Sequence, residues 1–395
     1  MKREEIARYA YENVPFYREL LSEKPVSWGD YPIVDKQMIL ARMDAVFSPE
    51  YMGDLMRNEL DRVLTSGSTG DCLEVFWKRE QNTKSLIPLW RKRMKYYGIS
   101  PSDRRCYFFT TKIVNGEELE VEKTRFGLGF SKADLSEEKI IAIYHMMREF
   151  NPKWMIVQPS MILLMLNVIK RRKLKPFAGL TYIELTGERI TDTDKRFIEE
   201  YFRCRVASQY GCYETNSIAY ECPYGGLHVM TENVFAEVIG EEDLCITSLH
   251  NKVMPFVRYK IGDKGRVIHN HDCPCGSKEP VIELRMAREN DWIYNSDGTV
   301  SHSDIFCNIV DKINLLLQQV IKQFQIIQID YHTFKAYLVI DEEEAAGEIQ
   351  KLFIENYEKY QERIEITFFF VDYLFPSEKT GKLAWFSSNM KGEIV

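Results

Sequence analysis

The sequence predicts an α/β protein with a large N-terminal domain of mixed sheets, which includes a β-rich subdomain, and a small C-terminal α+β domain. Three observations lead to this fold class. Helical patterns alternate with short apolar runs in the first half, shorter β-like runs follow from Leu227, and a turn-rich passage after Arg288 precedes a last mixed segment. Strands separated by helices of this length are typical of crossover units with a largely parallel sheet.

The first half carries four helical patterns and four apolar runs of strand length. The helical patterns lie at residues 82–98, 136–150, 161–173 and 192–202. The strand-length runs lie at residues 105–110, 154–158, 180–185 and 205–209. Beyond Leu227 the runs at residues 234–239, 244–248 and 265–269 follow one another without helices of that length between them. This change predicts the β-rich subdomain.

A cluster of turn-forming residues marks the predicted domain boundary. Asn295, Ser296, Asp297 and Gly298 stand together in the sequence, and such a density of turn residues is typical of a boundary. The remainder predicts a helix at 304–318, strands at 325–331 and 334–340, a helix at 345–362 and a strand at 363–371. We therefore predict an N-terminal domain at residues 1–287 and a C-terminal domain at residues 288–395.

Composition excludes several classes of protein. Hydrophobic residues make up 45% and charged residues 28% of the 395 residues, as in ordinary globular proteins. The net charge of −7 argues against a nucleic-acid-binding surface and against docking on anionic membranes. No apolar run reaches the roughly 18 residues of a membrane span, and the N-terminus lacks the apolar core of a signal peptide. Nine cysteines in a chain of this size predict reduced thiols and a cytoplasmic protein.

A Ser/Thr/Gly loop is the first candidate for chemistry. A strand-like lead-in reaches a hexamer and a second apolar run follows it, so that glycines allow successive N–H groups to converge on an anion while hydroxyls add donors. The spacing is not that of a Walker loop. A polar hairpin turn is the alternative interpretation of the same residues. The hexamer consists of Thr65, Ser66, Gly67, Ser68, Thr69 and Gly70.

Three further segments carry polar groups at the ends of apolar runs. Tyr210, Gly211 and Glu214 lie where a strand is expected to pass into a loop, and ligands of open α/β sheets gather at the carboxyl ends of strands. A carboxylate there could hold Mg²⁺. Asp263 lies in a predicted glycine turn, where it could bind ribose hydroxyls, and Lys382 lies on a polar loop after a strand. Each of these residues has a structural alternative as an exposed loop acid, a turn aspartate or a surface lysine.

Cysteines and a histidine in the β-rich subdomain form a candidate metal site. Cys222 and His228 lie in one segment, and Cys273 and Cys275 lie in another. Three thiolates and one imidazole would suit a closed, tetrahedral, structural Zn²⁺ site. His271 competes as a ligand, and four free thiol or imidazole groups remain the alternative.

Taken in order, the motifs resemble those of the adenylate-forming superfamily of acyl-CoA synthetases, luciferases and adenylation domains. The narrower resemblance is to the phenylacetate–CoA ligase branch and its relatives encoded in capsular-polysaccharide clusters. The resemblance covers nearly the whole chain. Its motifs are VPFYREL, YPIVDKQMI, LTSGSTG, VQPSMILLM, LTGERIT, YGCYE, VRYKIGD and EKTGK. Relatives in this branch have a similar Cys/His pattern, which favours the zinc interpretation.

The resemblance implies a role for each matching residue. The loop Thr65–Gly70 would contact phosphates, Tyr210 would stack on adenine, and Glu214 would hold Mg²⁺. Gly187 and Glu188 would border the adenine, and Asp263 would bind the ribose. Lys382 would bridge the incoming carboxylate and the α-phosphate, on a mobile lid domain that turns at Arg288. Gly211 and Tyr213 belong to the same nucleotide motif as Glu214.

Several positions depart from the family pattern. Tyr213 occupies the usual Thr position, so one hydroxyl contact to phosphate is moved or lost. Lys260 replaces a common Arg and forfeits its bidentate geometry. Asn290 stands where the hinge often carries Asp or Lys, and the phosphate loop continues with Asp71 and Cys72 in place of the usual Gly-x-Pro.

The resemblance implies an ATP-dependent and Mg²⁺-dependent activation of a carboxylic acid to an acyl-adenylate, followed by acyl transfer to a thiol. CoA or the phosphopantetheine of an acyl carrier protein is the expected acceptor, and a homodimer is expected. One alternative is transfer to an amine, such as an amino sugar in surface-polysaccharide biosynthesis. Another is a nucleotide-binding protein without catalysis, which Tyr213 favours and which Glu214, Asp263 and Lys382 oppose.

Overall fold

In the computed structural model, the chain forms two compact units. One unit joins Met1–Pro101 to Ala207–Arg285, and the other joins Ser102–Val206 to Met286–Val395. The residues that the structure describes are 2–21, 23–65, 73–109, 113–114, 117–132, 136–270, 272–288, 292–296, 299–317, 320–340, 343–358, 364–375 and 383–390.

The helices and strands follow one another in a mixed order. The helices are α1 (Arg3–Asn13), α2 (Pro15–Leu20), α3 (Lys36–Leu40), α4 (Met52–Met56), α5 (Arg79–Tyr97), α6 (Glu137–Phe150), α7 (Pro159–Arg171), α8 (Asp192–Phe202), α9 (Asp304–Leu316) and α10 (Ala346–Tyr357). The strands are β1 (Leu60–Leu64), β2 (Glu74–Lys78), β3 (Arg105–Phe109), β4 (Ile113–Val114), β5 (Glu117–Glu118), β6 (Val121–Lys123), β7 (Gly127–Ser131), β8 (Trp154–Val157), β9 (Tyr182–Thr186), β10 (Arg205–Cys212), β11 (Asn216–Glu221), β12 (Leu227–Val229), β13 (Val234–Ile239), β14 (Asp243–Ser248), β15 (Tyr259–Ile268), β16 (Val281–Arg288), β17 (Trp292–Tyr294), β18 (Val300–His302), β19 (Ile321–Gln328), β20 (Thr333–Ile340), β21 (Glu365–Phe370) and β22 (Phe386–Ser388).

The first unit is rich in antiparallel strands. Strands β1 and β2 form a hairpin, and the strands from β10 to β16 are ordered β13-β14-β15-β16-β12-β11-β10. One apolar cluster packs the N-terminal helices against Trp77 and Tyr259, and a second lies within the strands around Ile218 and Ile246. The β-rich subdomain predicted from residue 227 is therefore confirmed, and it also includes β10 and β11.

The second unit begins with a parallel sheet that is covered by helices. Its strands are ordered β9-β8-β3-β7-β6, and β9, β8, β3 and β7 run parallel while β6 runs antiparallel at the edge. Helices α6, α7 and α8 cover this sheet and share one apolar cluster with it. The crossover arrangement that the sequence predicted is confirmed, together with the α/β fold class.

Local sequence explains the limits of these helices. The Ser136 hydroxyl accepts a hydrogen bond from the N–H of Lys139 at the start of α6, and Asn151 ends this helix in the left-handed conformation. Helix α7 begins at Pro159, where a missing N–H has no cost, and its residues from Met161 to Leu166 are all buried. Because the residues from Met161 to Leu166 are apolar on every side of the helix, this part of α7 must be enclosed by protein.

The C-terminal part of the second unit has a small sheet of its own. The strands are ordered β21-β20-β19-β22, with β19 and β20 antiparallel and the outer pairs parallel. Helices α9 and α10 pack on it around Phe306 and Phe353. The predicted α+β character of this part is confirmed, and the turn-rich passage before it contains the hairpin of β17 and β18. The boundary at residues 287 and 288 stays a prediction.

Among the described residues, no helix has both the length and the apolar character that a membrane crossing requires.

The burial of α7 predicts a large effect of truncation in its core. Leu164 has no exposed surface, so we expect Leu164→Ala to lower the free energy of unfolding by about 3 kcal/mol, through lost burial and a residual cavity. Leu316, in α9 of the same unit, is 59% exposed and provides the matched control. Leu316→Ala should change the free energy by less than about 0.5 kcal/mol. Equal losses in chemical denaturation would contradict the packing described for α7.

Candidate active site

The candidate phosphate loop connects β1 and β2. Thr65 is buried, its N–H donates to the carbonyl of Leu73 at 2.9 Å, and its hydroxyl accepts from the N–H of Leu73 at 2.9 Å. These two hydrogen bonds close the base of the loop. The other predicted phosphate contacts, Ser66, Gly67, Ser68, Thr69 and Gly70, lie outside the described residues. The structure therefore shows the hairpin that carries the loop, and the phosphate role stays a prediction.

The predicted Mg²⁺ ligand, Glu214, lies in the turn between β10 and β11. Its side chain is buried, and its Oε1 accepts a hydrogen bond from the Tyr259 hydroxyl at 3.1 Å. Burial and the neighbouring carboxylate raise the pKa of Tyr259, so this phenol stays protonated and remains a donor. The Trp77 indole N–H donates to the carbonyl of Tyr213 at 3.0 Å and fixes the same turn. A buried carboxylate held in this way suits a hard cation such as Mg²⁺.

Strand β10 continues to Cys212 and so changes the expected positions of two site residues. Tyr210 and Gly211 lie within the strand, whereas the sequence predicted them at its exit. A Cβ atom on Gly211 would lie 2.4 Å from the carbonyl oxygen of Asn216 on β11, so a side chain does not fit there. The exit is formed by residues 213–215, and the Tyr213 side chain is 49% exposed.

The predicted ribose ligand, Asp263, is buried and paired with the predicted adenine-stacking residue. The Tyr210 hydroxyl donates to Oδ2 of Asp263 at 2.8 Å. Asp263 belongs to strand β15 and not to a separate turn, which corrects the expectation from sequence. The physical reason is a bulge: Gly262 has φ of +83°, and the register of β15 with β14 shifts between Lys260 and Lys264. The structure thus brings Tyr210 and Asp263 together.

In the second unit, the predicted adenine-side turn follows β9. Gly187 has φ of +81°, which an L side chain rarely adopts. The Glu188 carboxylate accepts from the N–H of Ser160 at 2.9 Å, from the Ser160 hydroxyl at 2.9 Å, and from the N–H of Leu383 at 3.1 Å. Burial raises the pKa of Glu188, while these hydrogen bonds and Lys132 act in the opposite direction.

The position of Leu383 bears on the predicted catalytic lysine. Lys382 itself lies outside the described residues, but its neighbour Leu383 binds Glu188. Two segments 195 positions apart in sequence, LTGERIT and the residue after EKTGK, therefore meet in the fold. Arg288, the predicted hinge residue, is the last residue of β16, and its side chain lies outside the described part of the chain.

The candidate metal site is assembled as the sequence predicted. The ligand atoms of Cys222, His228, Cys273 and Cys275 all lie within 4.8 Å of one another. The Sγ atoms of Cys222 and Cys273 are 3.6 Å apart, and Sγ of Cys275 lies 3.3 Å from Nε2 of His228. The other imidazole nitrogen, Nδ1, lies 3.1 Å from the carbonyl of Glu279, which orients the ring. The competing ligand His271 lies outside the described residues.

Several residues around the site were not singled out from the sequence. Tyr259 and Ser160 lie inside motifs that carry the family resemblance, so the motifs contained a signal for both. Trp77 has no such signal, because its partner is a backbone carbonyl far away in the sequence. Gln323 of β19 is also buried, next to the first turn of α7. A single glutamine in a strand gives no indication in the sequence of the groups that it binds.

Comparison with known proteins agrees with this architecture. Residues 293–389 match the family model described as the CapK C-terminal domain. Protein CapK of Staphylococcus aureus is 23% identical over 98% of this chain and 88% of its own length. Phenylacetate-coenzyme A ligase of Thermus thermophilus is 22% identical over 82% of this chain and 75% of its own length.

Solved structures extend the agreement to the fold. 2-Hydroxyisobutyryl-CoA ligase in its postadenylation state, in complex with 2-HIB-AMP, gives a TM-score of 0.74 at 14% identity, with 98% of this chain and 88% of that chain covered. The same ligase in its thioesterification state, with 2-HIB-AMP and CoA, gives 0.60 at 15% identity and the same coverage. The resemblance inferred from the motifs is thereby confirmed: the chain has the fold of 2-hydroxyisobutyryl-CoA ligase, and CapK and phenylacetate-coenzyme A ligase are among the proteins that it resembles in sequence.

Proposed function

We propose that the protein activates a carboxylic acid with ATP and then transfers the acyl group to the thiol of CoA. The observation that carries the proposal is the hydrogen bond between Leu383 and Glu188, because it joins the residue after the lysine motif to the adenine-side motif. Both motifs contribute to one reaction centre in the family that the chain resembles. Two of the similar proteins are named as CoA ligases of phenylacetate and of 2-hydroxyisobutyrate. These names support a carboxylic acid as substrate and CoA as acceptor.

The first half-reaction would form an acyl-adenylate. A carboxylate oxygen attacks the α-phosphorus, the bond from this phosphorus to the bridging oxygen breaks, and pyrophosphate leaves with the electron pair. Asp263 would accept hydrogen bonds from the ribose hydroxyls, and Lys382 would stabilise the charge that develops between the carboxylate and the α-phosphate. Glu214 would hold Mg²⁺, which neutralises phosphate charge when bound. The hydroxyl groups of Tyr210 and Tyr259 would keep the two carboxylates in place before the nucleotide arrives.

The second half-reaction would transfer the acyl group. The thiolate attacks the acyl carbon, and the bond from this carbon to the phosphate oxygen breaks, so that AMP leaves and a thioester forms. A phosphopantetheine thiol on a carrier protein is the nearest alternative acceptor, and an amino sugar is the alternative for an amine. A third candidate is a nucleotide-binding protein without catalysis. The half-exposed Tyr213 favours it, because this residue replaces the threonine whose hydroxyl usually contacts a phosphate.

Three broader expectations remain proposals. A domain boundary at residues 287 and 288 is supported by the family match that begins at residue 293. A cytoplasmic location is supported by the cluster of three cysteines and one histidine, because thiol ligands persist in reducing compartments. The homodimer rests on the family resemblance.

The activity can be tested without assuming the acceptor. We expect pyrophosphate release from ATP and Mg²⁺ that depends on one class within a panel of aryl, fatty and hydroxy acids. Hydroxylamine should trap the activated acyl group as a hydroxamate, and CoA should replace hydroxylamine with formation of a thioester. ATP binding without pyrophosphate release for any acid would instead favour the non-catalytic protein. An amino sugar that outcompetes CoA would favour the amine acceptor.

Lys382 should matter for the first half-reaction above all. We expect Lys382→Ala to lower the rate of acid-dependent pyrophosphate release at least about 100-fold, the magnitude seen when one donor to a developing charge is removed. Thioester formation from added acyl-adenylate should be nearly unchanged. Lys351, exposed on α10 of the same C-terminal part, supplies the matched control, and Lys351→Ala should retain full activity. Full pyrophosphate release by Lys382→Ala would exclude the proposed role.

We also propose a structural Zn²⁺ at Cys222, His228, Cys273 and Cys275. With Zn–S bonds of about 2.3 Å and Zn–N bonds of about 2.1 Å, a tetrahedral site requires S···S separations of about 3.8 Å and S···N separations of about 3.6 Å. The S···S distance of 3.6 Å between Cys222 and Cys273 and the S···N distance of 3.3 Å between Cys275 and His228 are close to these values. A separation of 3.6 Å is far too long for a disulfide. Gly226 lies beside the cluster, where a Cβ atom would be 3.1 Å from Nε2 of His228.

Elemental analysis should find about one zinc per chain, as four ligands fill a closed site. Cys273→Ala should abolish zinc binding and lower the melting temperature by at least about 5 °C, because a structural metal contributes its binding energy to folding. Cys245, buried in β14 of the same unit but outside the cluster, is the matched control. Cys245→Ala should keep the zinc. Zinc retained by Cys273→Ala, or absent from the unaltered protein, would contradict the proposal.

A further inference from the structure

Hydrogen bonds attach the described chain on either side of the segment that contains Lys382, and both attachments meet at Ser160 of α7. Leu374 precedes the segment, Leu383 follows it, and the residues between positions 376 and 382 lie outside the described part of the chain. Ser160, the second residue of α7, is 4% exposed and bonds through all of its polar groups.

The flank after the lysine is attached through Glu188. The N–H and the hydroxyl of Ser160 both donate to the Glu188 carboxylate at 2.9 Å, and Oε1 of this carboxylate also accepts from the N–H of Leu383 at 3.1 Å. The carboxylate therefore bridges the start of α7 and the residue next to Lys382.

The flank before the lysine is attached through Gln323 of β19. The side-chain N–H of Gln323 donates to the carbonyl of Ser160 at 3.2 Å, and its Oε1 accepts from the N–H of Leu374 at 3.4 Å. Gln323 is 4% exposed, so both the N–H donor and the carbonyl acceptor of its side-chain amide require partners. One buried amide thus joins α7 to the C-terminal strand and to the chain just before the lysine segment.

Weaker contacts surround these two attachments. Arg171 at the end of α7 lies 3.4 Å from Asp372 and 5.6 Å from the ring centroid of Tyr373. The Lys322 ammonium lies 4.3 Å from the ring centroid of Phe197 on α8. The C-terminal part therefore also contacts the end of α7 and helix α8.

We propose that Gln323 is a positioning residue for adenylation: through Ser160 and Glu188 it holds Leu374 and Leu383, the described residues on either side of the stretch that contains Lys382. This rests on the proposed function, because it assigns to these residues the placement of Lys382. Thioester formation does not need this placement. The two half-reactions should therefore respond differently when the attachment at Gln323 is weakened.

The test is Gln323→Met, which keeps the length of the side chain and removes both the N–H donor and the carbonyl acceptor of the amide. With the acid that supports pyrophosphate release, we expect kcat of adenylation to fall about fivefold, the effect of one or two neutral hydrogen bonds. The KM for ATP should change less than about twofold. Thioester formation from added acyl-adenylate and CoA should keep its rate. An equal decrease in both half-reactions would overturn the proposal.

Gln328 provides the matched control for stability. It lies on the same strand, has no exposed surface, and bonds to Tyr294 and Ser388 and not to α7. Gln328→Met should lower the melting temperature at least as much as Gln323→Met but leave the ratio of the two half-reaction rates unchanged. A change of this ratio in Gln328→Met equal to that in Gln323→Met would also overturn the proposal. Ser160→Ala, which removes one hydroxyl, should show the same selective loss to a smaller degree.

Amide hydrogen exchange separates this proposal from the proposed function. In Gln323→Met, the amides of Leu374 and Leu383 should exchange faster than in the unaltered protein and in Gln328→Met. This result would support the attachment even if no acid in the panel released pyrophosphate, in which case only the assigned reaction would fail. Unchanged exchange at Leu374 and Leu383 would overturn the attachment, whatever the catalytic result.

Discussion

The burial of α7 is the constraint on which the arrangement of the second unit depends. Its residues from Met161 to Leu166 are buried, so the helix is enclosed and its first turn lies in a place where water cannot satisfy the backbone. Pro159 removes one of the N–H groups that need a partner, and Ser160 finds its partners in Glu188 and Gln323. A requirement of helix formation thus brings together the adenine-side turn, strand β19 and the residue next to Lys382.

The carboxylates of the first unit follow a related principle. Glu214 and Asp263 are buried, and each accepts a hydrogen bond from a tyrosine hydroxyl, Tyr259 for the first and Tyr210 for the second. An unpaired buried carboxylate would be costly, whereas a hydrogen-bonded one keeps a fixed position. In the proposed reaction, such fixed carboxylates would need little reorganisation to bind a ribose or a metal, which is the advantage of a preorganised site.

The sequence predicted the regular elements well where hydrophobic periodicity is strong. Helices α6 and α8 begin and end within one residue of their predicted bounds, because capping residues such as Ser136 and Asn151 mark them. The predicted placement of Asp263 in a turn was wrong, since a glycine in a sequence does not distinguish a turn from a bulge inside a strand. Gln323 could not be assigned, because its role depends on the backbone of Ser160 and Leu374, which no residue type at those positions reveals.

The strength of the attachment at Ser160 fits a reaction in two steps. A neutral hydrogen bond contributes about 1 kcal/mol, and an exposed ion pair such as that of Arg171 and Asp372 contributes less than about 1 kcal/mol. In the proposed reaction, a few such contacts would hold Leu374 and Leu383 during adenylation and would still separate on the microsecond-to-millisecond timescale of domain motions. A large apolar interface at this place would hold the lysine equally well but would oppose its withdrawal. In the proposed reaction Lys382 would be positioned for the first half-reaction and withdrawn for the second, and polar contacts centred on Ser160 would suit both requirements.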